Sequence, residues 1–171
     1  VCANKQVGHE GCLNEELEGK QGKIVVFVNA VIEGVLRGEN PLIEGMRLPV
    51  NAIPLVIEGN TSESERERIK HEFQTSSESI ILFVSGKTAD VGIDLSEGTC
   101  VIHLDLPWTK SELEQHRARV DREGRKSTLR CIYPTTANTA DAGIALPLFR
   151  NTRTIEKLLT RIPFTTCTHE I

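Results

Sequence analysis

Aromatic residues are scarce in this chain of 171 residues, which contains five phenylalanines, one tryptophan and one tyrosine. Its core must therefore be built from isoleucine, valine and leucine, which recur in short blocks. No apolar run approaches the roughly 20 residues that a membrane-spanning helix needs. The first residues also lack the basic stretch followed by an apolar stretch that marks a secretory signal peptide. We therefore expect one globular domain with a full core, intracellular and without a membrane partner.

The five cysteines contain no C-x-x-C pair, and their odd number without a secretory signal favours a reducing compartment. Cys100 and Cys131 lie in or beside apolar runs and are predicted to be reduced core residues. The remaining cysteines and two histidines match no zinc-binding spacing, so no metal site is predicted. These residues are Cys2, His9, Cys12, Cys167 and His169.

A complete phosphate-binding loop is also absent, since neither G-x-x-x-x-G-K-[ST] nor the acidic box D-E-x-[HD] occurs. The segment Ser85–Thr88 reads S-G-K-T, which matches only the end of such a loop. The position five residues before Gly86 is Ile81, inside an apolar run, so the first glycine of the loop is missing. An independent P-loop nucleotidase is therefore disfavoured.

A large excess of positive charge is lacking too, because the net charge is −4. Coating of nucleic acid by bulk positive charge is thus disfavoured. The charge is unevenly distributed: residues 110–161 hold 11 basic and 6 acidic side chains, and the remainder holds 9 basic and 18 acidic ones. This distribution fits one anion-binding surface on an acidic body, with ordinary charged helix faces as the alternative.

The pattern that is present predicts strands alternating with helices. Each predicted strand is a nearly continuous apolar run, which is typical of strands buried on both faces of a parallel sheet. The sequence therefore predicts an α/β fold with a parallel sheet and helices on both faces. The predicted strands are Lys23–Val28, Ile53–Ile57, Ser79–Val84, Cys100–Leu104 and Thr128–Tyr133.

Two of the predicted helices begin with capping boxes, at Ser62 with Glu65 and at Thr109 with Glu112. Another helix is expected over residues 30–37, a loop or insertion over 39–51, and one or two helices over 138–160. Ligands of such sheets bind beyond the carboxyl ends of the strands, where we expect Gly59 and residues 85–94 and 105–108.

The helix that follows the fourth strand carries Gln115, Arg119 and Arg122, at offsets of four and three residues. That spacing predicts one shared helix face, and two arginines on one face suit a polyphosphate. Surface ion pairs with neighbouring acids are the alternative. Trp108 is predicted to pack, with stacking on a ligand as the alternative. His103 is predicted to be a core histidine with satisfied hydrogen bonds rather than a catalyst.

Four segments, in this order, resemble motifs of the second RecA-like domain of superfamily 2 helicases and translocases. The resemblance implies a single RecA-like domain, a P-loop NTPase-like fold without a P-loop, over residues 23–160. Residues 1–22 would be a flexible N-terminal segment and 161–171 a C-terminal tail. The matching segments are Lys23–Asn29 (motif IV), Ile57–Phe73, Ser85–Leu95 (motif V) and Gln115–Arg125 (motif VI).

Within the superfamily, the strings D-L-P-W, L-E-Q and V-D-R-x-G resemble the SWI/SNF-related, DNA-translocating ATPases. The DEAD-box RNA helicases share the E-R…F element but usually carry H-R-x-G-R in motif VI. His116, Ala118 and Arg125 depart from both patterns. An RNA helicase lobe and a non-catalytic α/β nucleic-acid-binding module therefore stay open as alternatives. The location implied is the nucleus in a eukaryote and the cytoplasm in a bacterium or archaeon.

The resemblance also implies partners and roles. ATP and Mg²⁺ would be bound mainly by an N-terminal RecA-like lobe missing from this chain, whose start at Val1 suggests a piece of a longer protein. The chain alone is not expected to be an active ATPase. Arg119 and Arg122 would be catalytic arginine fingers, and Gln115, Gly92 and Asp94 would lie near the nucleotide. Nucleic acid, with duplex DNA favoured, would be contacted by Asn29, Gly59, Asn60, Ser85, Lys87 and Thr88.

Overall fold

The computed structural model describes residues 22–28, 52–85, 88, 93–122, 128–133, 144 and 148. Three predicted site residues lie outside these ranges, namely Asn29, Lys87 and Gly92. The predicted helix at 30–37, the 39–51 loop, nearly all of 138–160 and the cysteines near the two ends also lie outside them.

Five parallel strands form one sheet in the order β2-β3-β1-β4-β5. The predicted α/β fold class is thus confirmed, with strand bounds that differ from the predicted ones by at most two residues. The strands are β1 (Lys23–Val28), β2 (Ile53–Ile57), β3 (Ile80–Ser85), β4 (Cys100–His103) and β5 (Arg130–Ile132).

Both faces of this sheet are buried, as the unbroken apolar runs predict. Successive side chains of a strand point to opposite faces, so each strand contributes to two clusters. Val25 and Phe27 of β1 belong to the first core, which continues with Leu82, Val84 and Val101. The second core lies on the other face and contains Ile24, Val26, Val28, Ile81, Phe83 and Ile102.

Two helices pack against the first core, α1 (Glu63–Thr75) and α2 (Lys110–Val120). Helix α1 buries Ile69 and Phe73, which are four residues apart and so share a face. Helix α2 buries His116 and Val120 in the same way. Within the described ranges, no helix is long and apolar enough to span a membrane.

The predicted caps begin both helices. The Ser62 hydroxyl accepts the backbone N–H of Glu65 at 3.3 Å, and the Thr109 hydroxyl accepts that of Glu112 at 3.2 Å. The Glu65 carboxylate does not complete a capping box, because it binds the guanidinium of Arg68 instead. Each cap satisfies one of the backbone donors that a helix leaves open at its start.

The parallel arrangement gives the sheet two chemically distinct edges. All strands begin at one of them, which we name the amino edge, and all end at the other, the carboxyl edge. The turn at 58–61 after β2, Ser85 at the end of β3 and residues 104–108 after β4 mark the carboxyl edge. Both helices run back from the carboxyl edge, so their C-terminal ends lie at the amino edge.

Candidate functional site

The segment 93–99, which leads into β4, lies at the amino edge. Its Thr99 N–H donates to the carbonyl of Lys23, the first residue of β1, at 2.7 Å. Leu95 N–H donates to the carbonyl of Arg119 in the last turn of α2 at 3.0 Å. These bonds fix the backbone beside Asp94 to the end of the helix that carries the predicted arginines.

Asp94 therefore corrects one expectation, which placed all of residues 85–94 at the carboxyl edge. Ser85 ends β3 at that edge, whereas Asp94 lies at the opposite one. The reason is topological: β3 and β4 both lie in a parallel sheet, so the chain leaving β3 must return to the amino edge before β4 begins. The predicted site residues are thus divided between two edges.

Arg122 corrects a second expectation, because it does not lie on a helix face. Helix α2 ends at Val120, and Asp121 is its C-cap, with φ −90° and ψ 84°. Beyond this cap, Nη1 of Arg122 lies 3.3 Å from Oδ2 of Asp94. Arg122 is thus paired with a carboxylate that is distant in sequence.

The carboxylate of Asp94 is held from several sides. Its Oδ1 accepts the backbone N–H of Ser96 at 3.1 Å, and the backbone carbonyl of Asp94 accepts a hydrogen bond from the Gln74 side-chain amide at 3.5 Å. Partial burial opposes its ionisation, yet its pKa lies below the usual value, because Ser96 donates hydrogen bonds to it and Arg122 and Lys70 add positive charge nearby. Asp94 is therefore charged at neutral pH, with Arg122 beside it.

Gln115 and Arg119 are one turn apart on α2, with Gln115 exposed and Arg119 half-buried. Arg117 belongs to a different contact, since its guanidinium binds Asp121 Oδ2 at 2.8 and 3.1 Å. The structure thus brings Asp94, Arg119 and Arg122 together at the amino edge. An arginine guanidinium suits a phosphate group, and the described residues contain no group of three or more His, Cys, Asp or Glu side chains that could hold a metal ion.

Gly98 is an amino-edge residue that the sequence did not single out. A Cβ atom at this position would lie 3.0 Å from Cγ1 of Val120 and 3.1 Å from both Cγ2 of Val25 and the carbonyl oxygen of Leu95. Glycine therefore lets the segment before β4 pass directly beneath the end of α2. Its neighbours show why it matters, but a lone glycine after an acidic residue gives no such signal in the sequence.

The turn at 58–61 is the best-defined part of the carboxyl edge. Glu58 N–H donates to the Thr61 hydroxyl at 2.9 Å, and Thr61 N–H donates back to the Glu58 carbonyl at 3.1 Å. The guanidinium of Arg66 then binds three carbonyl oxygens of this turn, those of Thr61 at 2.9 Å and of Glu58 and Gly59 at 3.3 Å. Sequence reasoning missed Arg66, whose spacing of five to eight residues from its partners becomes meaningful only once the turn is folded.

Gly59 and Asn60 are exposed on this turn, and Ser85 is half-buried nearby along the same edge. Nothing lies within 4 Å of a Cβ atom built on Gly59, so the space beside its backbone is open. Thr88 differs from them, because it is 2% exposed and its hydroxyl has no hydrogen-bond partner among the described residues. Its burial disfavours a direct contact between this hydroxyl and a nucleic acid.

Trp108 is 76% exposed, so the prediction that it packs is wrong. It follows β4 and directly precedes Thr109, the N-cap of α2, which places it at the carboxyl edge. Among the described residues it is the one large apolar side chain in full contact with solvent. An aromatic ring in that position is available for stacking on a flat ligand.

Between the edges, a stack of rings fills the first core beneath α2. His116 stacks on Phe27 with centroids 4.4 Å apart, and His103 stacks on Phe27 at 5.1 Å and on Tyr133 at 5.2 Å. His103 is a core histidine as predicted, but in the part of the chain that the structure describes neither ring nitrogen has a hydrogen-bond partner. Burial, together with the charge of His116, lowers its pKa to about 3, so it stays neutral.

Residues 8–124 match the family described as helicase conserved C-terminal domain. Among curated relatives, a SWI/SNF-related matrix-associated actin-dependent regulator of chromatin subfamily A-like protein 1 of Xenopus tropicalis is 35% identical over 85 residues, 50% of this chain and 9% of that protein. Human lymphoid-specific helicase is 28% identical over 149 residues, 81% of this chain and 18% of that protein. The DNA repair and recombination protein RAD54B of Gallus gallus is 32% identical over 89 residues, 52% of this chain and 10% of that protein.

The fold of this chain is similar to the crystal structure of the C-terminal part of the Fun30 ATPase domain, with a TM-score of 0.68 and 20% sequence identity. The match covers 82% of this chain and 44% of that chain. This likeness concerns the fold, which is that of a RecA-like α/β domain. The chain spans less than a fifth of the length of the curated relatives named above. Because the family match covers more than half of the chain, the chain belongs to the helicase conserved C-terminal domain family, and it is similar to SWI/SNF-related proteins.

Proposed function

We propose that this chain is the second motor lobe of an ATP-dependent DNA translocase, and that its two sheet edges serve two ligands. The observation that carries the proposal is the separation of the site residues. Asp94, Arg119 and Arg122 lie at the amino edge, whereas Gly59, Asn60, Ser85 and Trp108 lie at the carboxyl edge. Such a lobe can contact a nucleotide held by a partner lobe on one side and nucleic acid on the other.

The amino edge would contribute positive charge to phosphoryl transfer. ATP, bound with Mg²⁺ mainly by the N-terminal lobe, supplies the phosphoryl group that water attacks. Arg119 and Arg122 would approach the terminal phosphate when the lobes close and stabilise the charge that develops there. Arginine fingers supplied in this way raise GTPase rates by about 10³–10⁵. Gln115, one turn before Arg119, would orient the same network from the exposed side of α2.

The carboxyl edge would grip nucleic acid without reading its sequence. Exposed backbone at Gly59 and Asn60 and the Ser85 hydroxyl can donate to phosphate oxygens, and the Arg66 guanidinium keeps the turn in shape. The start of α2 faces the same edge, and the N-terminal end of a helix favours an anion. The Trp108 ring would stack on a base or sugar. Asn29 and Lys87 are proposed as contacts from the sequence alone.

The amino-edge role is tested in the protein that contains both lobes. Replacing Arg119 or Arg122 by alanine should lower the nucleic-acid-stimulated rate of ATP hydrolysis by about 10³-fold, if these residues act as fingers. Arg117→Ala is the matched control, since it removes a positive charge from the same helix but one bound to Asp121. Thermal unfolding of each variant confirms the fold. A turnover that survived both finger substitutions would refute the assignment.

The carboxyl-edge role is tested in this 171-residue chain, because Trp108 is its one tryptophan and reports alone in fluorescence. Stacking on a base should quench that fluorescence when a nucleic acid is added. Duplex DNA, single-stranded DNA and RNA of equal length and salt concentration are compared, since backbone affinity depends on salt. We expect duplex DNA to bind most tightly. A stronger response to RNA would favour an RNA helicase lobe instead, and no binding at all would contradict the nucleic-acid role.

Chromatin regulation and DNA repair appear in the names of the relatives rather than in any observation on this chain. A nuclear location is proposed from them for a eukaryotic protein, and a cytoplasmic one for a bacterial or archaeal protein.

A further inference from the structure

The ion pair between Arg122 and Asp94 engages one of the proposed fingers. The two residues are 28 positions apart in sequence, and Asp94 is the one carboxylate paired with Arg122 among the described residues. The pair rests on a single guanidinium nitrogen, Nη1, at 3.3 Å. Arg117 offers a contrast, because two of its nitrogens bind Asp121 at 2.8 and 3.1 Å. The Arg122 contact is thus the looser of the two.

The two partners differ in how firmly they are fixed. Asp94 is held by the hydrogen bond from Ser96, and its backbone neighbour Leu95 is bonded to the Arg119 carbonyl. Arg122 lies beyond the C-cap of α2, and its side chain is 45% exposed. The carboxylate is therefore a fixed point, and the guanidinium is the partner that can move away from it.

We propose that Asp94 is the resting partner of Arg122 and competes with the nucleotide phosphate for it. This inference rests on the proposed function, because it assigns Arg122 a phosphate to exchange for Asp94. A guanidinium carries five N–H donors, and the contact through Nη1 leaves the others available to approach a phosphate. The phosphate then displaces the carboxylate when the lobes close, and Arg122 returns to Asp94 when the product leaves.

The strength of the pair suits such an exchange. Exposed ion pairs contribute about 0.2–1 kcal/mol, and 1.4 kcal/mol corresponds to a tenfold change in affinity. Asp94 would therefore weaken nucleotide binding by up to about fivefold, which is large enough to measure and small enough for a phosphate to overcome. A tighter, buried pair would instead lock Arg122 away from the nucleotide.

The test uses the protein that contains both lobes and measures its equilibrium affinity for a non-hydrolysable ATP analogue with Mg²⁺. Asp94→Asn removes the charge and keeps an oxygen that accepts the Ser96 N–H. Glu97→Gln is the matched control, since Glu97 is exposed in the same segment and, in the described ranges, makes no ion pair. We expect Asp94→Asn to bind the analogue two- to fivefold more tightly, Glu97→Gln to bind as the unsubstituted protein does, and the difference to shrink at high salt.

Measuring Asp94→Asn also in a protein without Arg122 distinguishes the effect of the ion pair from the general effect of removing a negative charge. In a protein that already carries Arg122→Ala, Asp94→Asn should leave the affinity unchanged, because no finger is left to release. If Asp94→Asn raised the analogue affinity equally with and without Arg122, the role of Asp94 would be overturned. It would also be overturned if Asp94→Asn bound the analogue no more tightly than Glu97→Gln. If Arg122→Ala alone left the analogue affinity unchanged, the exchange would fail, whereas the proposed function is judged separately by whether that variant loses turnover. A loss of affinity in Arg122→Ala without any gain in Asp94→Asn would overturn only the exchange.

Discussion

The two edges of the sheet use glycine in opposite ways. At the amino edge Gly98 is enclosed, with Val120, Val25 and Leu95 atoms at 3.0–3.1 Å from where a Cβ would lie. At the carboxyl edge Gly59 has open space beside it. The first glycine serves the packing of the domain itself, whereas the second leaves backbone accessible from outside. The comparison teaches that close packing encloses the backbone at Gly98 on the amino edge, whereas the carboxyl edge leaves the backbone at Gly59 accessible.

Substituting each of these two glycines by alanine tests the difference between the two edges most strongly. Gly98→Ala should lower the free energy of unfolding by about 1–3 kcal/mol, the usual range for overpacking a filled site. Gly59→Ala should leave stability nearly unchanged, because the added methyl group meets no neighbour. Chemical denaturation of both variants measures the difference. Equal destabilisation at the two positions would contradict the distinction between an enclosed and an open glycine.

The ring stack between the edges predicts a pH dependence. His103 has a pKa of about 3 in the folded chain against an ordinary value of 6.5, so the unfolded chain binds more protons between these values. The contribution of His103 to the free energy of unfolding is therefore fully present above pH 6.5 and declines as the pH falls toward 3. Between pH 6.5 and pH 5 the loss from this one group should be about 2 kcal/mol.

His103→Phe is the control for that prediction, because phenylalanine keeps a ring in the stack and cannot be protonated. Denaturation at pH 7 and pH 5 should show a smaller acid-induced loss in this variant than in the unsubstituted chain. An identical loss in both proteins would show that His103 does not contribute to the acid sensitivity.

Two arginines of α1 compare the inner and outer sides of one helix. Arg66 binds three carbonyl oxygens of the turn at the carboxyl edge, whereas Arg68 binds the exposed carboxylates of Glu65 and Glu72. Arg66→Ala should lower the free energy of unfolding by about 1 kcal/mol and weaken nucleic-acid binding, since the turn loses its clamp. Arg68→Ala should change neither quantity measurably. If the two variants bound nucleic acid equally well, the turn at 58–61 would not be part of the nucleic-acid surface.

Much of this fold could be read from the sequence, for reasons visible in single elements. Ile24–Val28 is apolar throughout, as expected for the central strand β1, which is buried on both faces. Ser62 and Thr109 were recognisable as caps because the hydroxyl reaches a backbone donor only three residues away. Local patterns of this kind need no knowledge of the tertiary structure.

The site was harder, because its residues are sorted by topology rather than by sequence distance. Ser85 and Asp94 belong to one motif and lie at opposite edges, which the parallel sheet itself requires. The signal was present, since any residue just before β4 must be near the amino edge. The exposure of Trp108 had no comparable signal, because a tryptophan after proline is as compatible with packing as with solvent. The Arg122–Asp94 pair likewise depends on where α2 ends.

The central claim is that the two edges serve different ligands, and one titration tests it most directly. In the protein with both lobes, the ATPase rate is followed as duplex DNA is added, for Arg119→Ala and for Trp108→Ala. The account predicts that Arg119→Ala lowers the maximal rate and leaves the half-saturating DNA concentration unchanged. Trp108→Ala should raise that concentration by about fivefold or more and leave the maximal rate unchanged, given the 1–3 kcal/mol of a stacked base. If both variants changed the same parameter, the edges would not be separate sites.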